Sequence, residues 1–175
     1  MNHLSRNTIA STLLLAGALA AAPADAAPGQ GRTRSWFGLN VGMVSGSVDM
    51  QCAGGGDCSE GGVFPSYGLN FTVAGEMALR LRAIRAEEDT EHKPFEVAAL
   101  VGPRLGRKWY ALAGFGQIRN ADDNYVGNST GMAWEFVRAA PTQSGTGLEF
   151  SVHGNAFGDA TFIGASIGLR FGNLR

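Results

Sequence analysis

The stretch that decides the fold closes the chain: "GASIGLRFGNLR", Gly164–Arg175. Ala165, Ile167, Leu169 and Phe171 share one parity, and Gly164, Ser166, Gly168 and Arg170 share the other. Extended backbone sends successive side chains to opposite faces, so one face is bulky and apolar while the other is small, hydroxylated and cationic. In a soluble antiparallel sheet the apolar face turns to a core and the other meets water. In a membrane barrel the apolar face turns to lipid, and the small, polar face lines a narrow interior.

The pattern recurs upstream. Phe37, Leu39, Val41 and Met43 alternate with Gly38, Asn40 and Gly42 in a strand predicted over Ser35–Gly46. Further strands are predicted over Phe64–Ala74, Met77–Ala86, Pro94–Gly102, Arg107–Arg119, Thr130–Ala139 and Thr146–Asn155, with an eighth from Ala160 to Gly172. Met77–Ala86 is rich in helix-forming Ala, Leu and Arg, so a helix is its alternative; the period-two alternation favours a strand. In Arg107–Arg119 the facing is ambiguous, because Trp109, Ala111, Ala113 and Phe115 oppose Tyr110, Leu112, Gly114 and Gly116. Each segment has about the ten residues that a tilted strand needs to cross a bilayer. The connections Met50–Val63, Glu87–Lys93 and Asn120–Ser129 are longer than Gly75-Glu76, Pro103–Gly106 and Ala140–Gly145, while the last, Ala156–Asp159, is short. Short turns on one side and longer loops on the other suit an up-and-down barrel with both termini in the periplasm.

The whole chain has 175 residues, a net charge of −1 and 26 glycines without a collagen period. That length suits one domain, and the near-neutral charge gives no nucleic-acid footprint. Its start reads as a processing segment: Arg6, an apolar run Ile9–Ala22, then Ala24-Asp25-Ala26 as an A-x-A site. A signal peptide is expected over 1–26, with a short lead-in over 27–34 and a barrel domain over 35–175. A membrane anchor is the alternative, but the apolar run is short for a span. Cys52 and Cys58 flank "AGGGD". Export to an oxidising compartment makes a disulfide between them the expectation. A metal site there would have only Asp57 and Glu60 as nearby oxygen ligands, so no metal is expected.

The small-residue parity also carries ions. Arg80, Arg82 and Arg170 share it with Glu96, Glu135 and Glu149, joined by His153, Ser151, Ser166, Asn40, Asn70 and Thr72. An eight-stranded barrel is only just wide enough inside for side chains. Charges there must pair, since an isolated buried ion is very costly. An internal ion-pair network of these six, with His153, is therefore expected: Arg80 or Arg82 with Glu96 across adjacent strands, and Arg170 with Glu149. Near strand ends or mid-wall, Trp36, Phe37, Tyr67, Trp109 and Trp134 are read as wall and interfacial aromatics.

With its signal peptide, its opening "WFGLNVG" (36–42), its glycine-rich alternating strands and its closing "FIGASIGLRFG" (162–172), the chain resembles small eight-stranded outer-membrane β-barrel proteins of the OmpA-transmembrane-domain and OmpX kind. The resemblance spans Ser35–Gly172 and is architectural. It implies an all-β, antiparallel, up-and-down transmembrane barrel in the outer membrane of a Gram-negative bacterium. The implied role is structural, adhesive or envelope-maintaining, without a wide pore. The implied partners are outer-membrane lipid, lipopolysaccharide and the barrel assembly machinery, with the chain a monomer. Such chains commonly end on an aromatic residue that the assembly machinery recognises; here Phe171 is followed by Gly172-Asn173-Leu174-Arg175.

Two alternatives carry other chemistry. An exported soluble barrel of lipocalin type would bind an apolar ligand in a dry interior. A lipid A-modifying barrel enzyme is suggested by "FSVHGNAF" (150–157), which resembles outer-membrane lipid A deacylases, whose histidine is followed two positions later by a serine nucleophile. Here Gly154 and Asn155 follow His153, and Ser151 lies on the wrong side, so no catalytic residue is expected and the chain is not read as an enzyme. The acidic Glu87-Glu88-Asp89, Glu91 and Asp122-Asp123 could attract divalent cations or a basic partner, but no twelve-residue calcium loop is present. A solvated cluster is expected there, and no cofactor.

Overall fold

A computed structural model of the chain describes residues 33–51, 57–87, 95–119, 129–140, 142, 144–157 and 160–173. Eight strands follow one another: β1 Arg34–Gln51, β2 Asp57–Ala74, β3 Met77–Ala86, β4 Phe95–Leu105, β5 Trp109–Arg119, β6 Ser129–Arg138, β7 Thr146–Phe157 and β8 Ala160–Asn173. Each pairs antiparallel with its sequence neighbours, and β1 also pairs with β8, so the sheet closes on itself. Closure leaves no free edge around the wall. Met77–Ala86 is a strand, as its alternation indicated.

The register carries the two faces around the whole barrel. Val41 stands opposite Tyr67 on one side and Ile167 on the other, all exposed. One step along, Gly42 stands between Ser66 and Ser166. Leu69, Leu79, Val97, Phe115, Phe150 and Leu169 point out, and Phe115 exposes 69% of its surface. The large buried side chains include arginine and glutamate. The polarity is the reverse of a water-soluble globule, in which apolar side chains are buried and unpaired charges are not. The ambiguous strand β5 resolves with Trp109 and Phe115 outward and Tyr110 and Leu112 buried inside.

Two boundaries differ from the sequence reading. Most of the connection expected over Met50–Val63 is strand: β1 and β2 stay paired as far as Gln51 opposite Asp57. A hairpin can continue past the rim because each strand satisfies the other's backbone groups. The hairpin projects there, since β1 meets β8 only as far as Val48 and β2 meets β3 only from Ser66. At the opposite end, β4 runs through Pro103 to Leu105, and Gly106, Arg107 and Lys108 make the turn. Gly106 has φ +73°, a left-handed conformation that glycine adopts without steric cost.

Inside, three layers succeed one another. An apolar layer of Trp36, Leu100, Tyr110, Leu112 and Val137 fills the end with the short turns. Ions occupy the middle. Ile118, Phe157 and Phe162 fill the end with the longer loops. Residues 1–26, the lead-in up to residue 32, Cys52, Glu88, Asp89, Glu91, Asp122 and Asp123 lie outside the described residues. Of the cysteine pair, Cys58 falls within β2, opposite Met50.

Candidate functional site

The site is the ionic centre of the barrel. Arg80 projects inward from β3, with none of its side chain exposed. Its guanidinium grips Glu149 of β7 in a fork: Nη2 donates to Oε1 at 2.6 Å and Nη1 to Oε2 at 3.1 Å. Two parallel charge-assisted bonds are the strongest arrangement open to this pair. Nη2 also donates to Glu135 Oε1 of β6 at 3.0 Å, and Nη1 to Thr72 Oγ1 of β2 at 3.1 Å. Glu135 holds a second arginine with its other oxygen, accepting from Arg82 Nη1 at 3.2 Å. Arg82 in turn pairs with Glu96 of β4 through Nη2.

Neutral groups extend the chain of bonds toward both ends. Glu96 Oε2 accepts from Asn155 Nδ2 at 2.6 Å, and Asn155 Oδ1 accepts the backbone N–H of Phe162 at 3.0 Å. At the opposite end Trp36 Nε1 donates to Glu149 Oε2 at 2.8 Å, and Asn70 Nδ2 donates to Glu149 Oε1 at 3.3 Å. Trp36 also meets the Tyr110 ring of β5, with centroids 6.2 Å apart. Side chains from all eight strands, or in β8 the backbone, thus meet along one line. Alternating sign along Glu149, Arg80, Glu135, Arg82 and Glu96 offsets the desolvation of each ion by its neighbours, the condition a buried charge must meet.

Arg170 departs from the expected pairing with Glu149. Its Nε donates to the Leu148 carbonyl at 3.0 Å and its Nη2 to the Ala140 carbonyl. Its guanidinium lies over the Trp36 ring, 5.4 Å from the centroid. The register explains the separation: Glu149 stands opposite Gly168 and Arg170 opposite Gly147, so the two are diagonal rather than facing. The indole links them, its face receiving Arg170 and its N–H reaching Glu149. The charges of the six ions sum to zero.

Trp36, expected in the wall, is 2% exposed and lies inside. Its parity, shared with Gly38 and Asn40, was the available signal. Tyr110 and Asn155 also serve the interior without having been singled out for it. His153 sits opposite Glu135 in the ladder, is buried, and makes no hydrogen bond among the described residues. Water-sized voids adjoin it: one is lined by Asn40, Ser66, Ser151 and Ser166, the other by Val44, Ile118 and Phe162. Ser151 and Ser166 bond to each other at 2.8 Å. Of the acidic loop residues, Glu87 is described; it accepts from Tyr67 Oη at 2.9 Å and stands 3.8 Å from Arg85 Nε.

No described group of histidine, cysteine and carboxylate side chains could hold a metal ion. What the arrangement can do chemically is bind its own wall together.

Known structures share this architecture. Neisserial surface protein A superposes with a TM-score of 0.56 at 10% identity, over 78% of this chain and 96% of that one. The fold is that of the small eight-stranded outer-membrane β-barrels. Ail, the attachment invasion locus protein of Yersinia pestis, superposes with a TM-score of 0.47 at 11% identity, over 78% of this chain and 97% of that one. No protein-family model matches the chain, and no curated protein matches it by sequence.

Proposed function

We propose that the chain is a small outer-membrane barrel protein of a Gram-negative envelope, with a structural, adhesive or envelope-maintenance role and no wide pore. The observation that carries this reading is the reversed polarity of the wall, with Leu69, Phe115, Phe150 and Ile167 exposed around a buried Arg80–Glu135–Arg82 centre. Such a wall in water would expose an apolar belt far larger than a soluble monomer carries. In a bilayer the same belt faces hydrocarbon. In this reading the short turns and both termini face the periplasm, after removal of residues 1–26, and the longer loops face outward. Lipid, lipopolysaccharide and the assembly machinery are the partners, and the barrel is a monomer.

The layered interior supports a plug rather than a conduit. It also disfavours the soluble ligand-binding reading, because ions occupy the volume where an apolar ligand would sit. His153 points into that interior, away from any lipid substrate at the wall, and we propose no enzymatic role.

Membrane fractionation and gel migration test this reading. The mature protein should resist carbonate extraction, require detergent for release, and migrate differently before and after boiling. Release into aqueous buffer as a monodisperse soluble monomer would contradict it.

A further inference from the structure

The rim at the short turns carries cations on an otherwise apolar outer face. Arg107 and Lys108 occupy the β4–β5 turn, both exposed. Arg104 Nη2 braces that turn from inside, donating to the Arg107 carbonyl at 3.0 Å. The Ala139 N–H donates to the Lys108 carbonyl at 2.7 Å, tying the end of β6 to the same turn. Trp109 and Arg138 then face each other across β5 and β6, with the guanidinium 5.9 Å from the ring centroid. Arg138 also stands opposite Phe150 of β7.

The cluster is one-sided in charge. Arg107, Lys108 and Arg138 have no carboxylate partner among the described residues. Among the described residues, Glu76 is the acidic residue of this rim; its backbone carbonyl accepts the Arg104 N–H at 2.8 Å, and its carboxylate makes no ion pair among the described residues. Toward mid-wall, the outward positions on the same strands are apolar: Phe136 and Trp134 on β6, Val152 on β7. Trp134 is four residues from Arg138, about 13 Å along a strand. A cationic rim above an apolar strip of that height matches one kind of molecule, an anionic headgroup carrying acyl chains.

We propose that Arg107, Lys108, Trp109 and Arg138 bind the headgroup of an anionic glycerophospholipid in the periplasmic leaflet, with an acyl chain lying along Phe136 and Phe150. This rests on the membrane reading above. Trp109 suits the boundary because its ring is apolar and its N–H polar. Lying over that ring at 5.9 Å from its centroid, the planar Arg138 guanidinium keeps N–H donors for phosphodiester oxygens. The flexible ammonium of Lys108 and the exposed Arg107 add attraction to a net negative headgroup.

Native mass spectrometry of the mature, detergent-folded protein tests this, with phosphatidylglycerol and phosphatidylcholine of identical acyl chains as probes. Boiled and unboiled gel migration first establishes that each variant is folded. The wild-type protein should retain phosphatidylglycerol over phosphatidylcholine. Lys108→Gln and Arg138→Gln should each weaken that retention about fivefold, the effect of one basic side chain at an anionic surface. Arg138→Lys, which keeps the charge and loses the planar donor set, should lose less than Arg138→Gln, and Arg85→Gln, at the opposite rim, should keep all of it. Equal retention of the two lipids by wild type, no loss in either rim variant, or an equal loss in Arg85→Gln would overturn the proposal while leaving a membrane barrel standing. A chain that does not fold in detergent at all would overturn the membrane reading and this site with it.

Discussion

Trp36 donates its indole N–H to Glu149 Oε2 at 2.8 Å inside the barrel, and the opposite side of the pairing is the Arg80 fork on the same carboxylate. The tryptophan is therefore part of the ionic centre rather than of the outer wall. Its ring also carries Arg170. Trp36→Phe keeps most of the apolar volume but deletes the N–H and shrinks the surface beneath the guanidinium. Arg80 Nη1 still serves Oε2, so the expected cost is about 1.5–3 kcal/mol, the range for one hydrogen bond to a charged group. Urea unfolding of the barrel in vesicles measures it; an unchanged midpoint and slope would show that the bond contributes nothing.

The Arg82–Glu96 pair should be strongly non-additive. Arg82→Met leaves Glu96 with Asn155 alone and removes one of the two cations on Glu135. Breaking a buried pair by removing one partner costs about 3–5 kcal/mol, whereas replacing both can approach neutrality. A double-mutant cycle with Glu96→Gln should therefore return a coupling on the order of 1–3 kcal/mol. Strictly additive losses would mean that the two side chains do not interact in the folded barrel.

The alternation of bulky and small residues made all eight strands and the closed topology legible, since period two on a strand of this length leaves few other folds. Inward placement of Arg80, Arg82, Glu96, Glu135, Glu149 and Arg170 follows from the same parity. The partners do not. Register alone decided that Glu149 meets Arg80 across the interior while Arg170 lies diagonal to it, capping carbonyls instead. Register depends on where each hairpin turns, as with the left-handed Gly106 that shifts the β4–β5 turn to residues 106–108. Trp36 near a strand end suggests an interface, but its parity with Gly38 and Asn40 places it inside.

Gly154 should resist substitution for a reason visible on the outer wall. It stands opposite Trp134, and a Cβ placed on it would lie 2.5 Å from Trp134 Cζ2 and 2.6 Å from Cε2. The indole covers the glycine, so Gly154→Ala must lift the ring. A loss of about 1–3 kcal/mol is expected, as for other overpacked contacts. A variant retaining only Trp134 should show a changed emission maximum with the substitution. An identical spectrum and identical stability would place the ring elsewhere.

Charge on the outer face should block assembly where the same charge inside is part of the fold. Ile167 is exposed between Val41 and Phe150, and the inward Arg170 lies three residues away. Ile167→Arg should cost about 2–4 kcal/mol at mid-membrane depth. Folding yield into vesicles, read from the heat-modifiable band, should fall well below wild type. Wild-type yield would mean that Ile167 does not face lipid.

The central claim is that the apolar face is the outside of a membrane-embedded wall, and the three tryptophans allow it to be measured directly. Trp36 is buried within, while Trp109 is exposed on the outer face; Trp134 lies on that face over Gly154. Single-tryptophan variants, with phenylalanine at the other two positions, can be folded into vesicles whose acyl chains carry bromine, a short-range quencher. The account predicts strong quenching of Trp134 emission by mid-chain bromine, quenching of Trp109 by bromine nearer the headgroup, and little quenching of Trp36 at any depth. Quenching of Trp36 equal to that of Trp134, or quenching of Trp134 by aqueous acrylamide and not by brominated lipid, would contradict it.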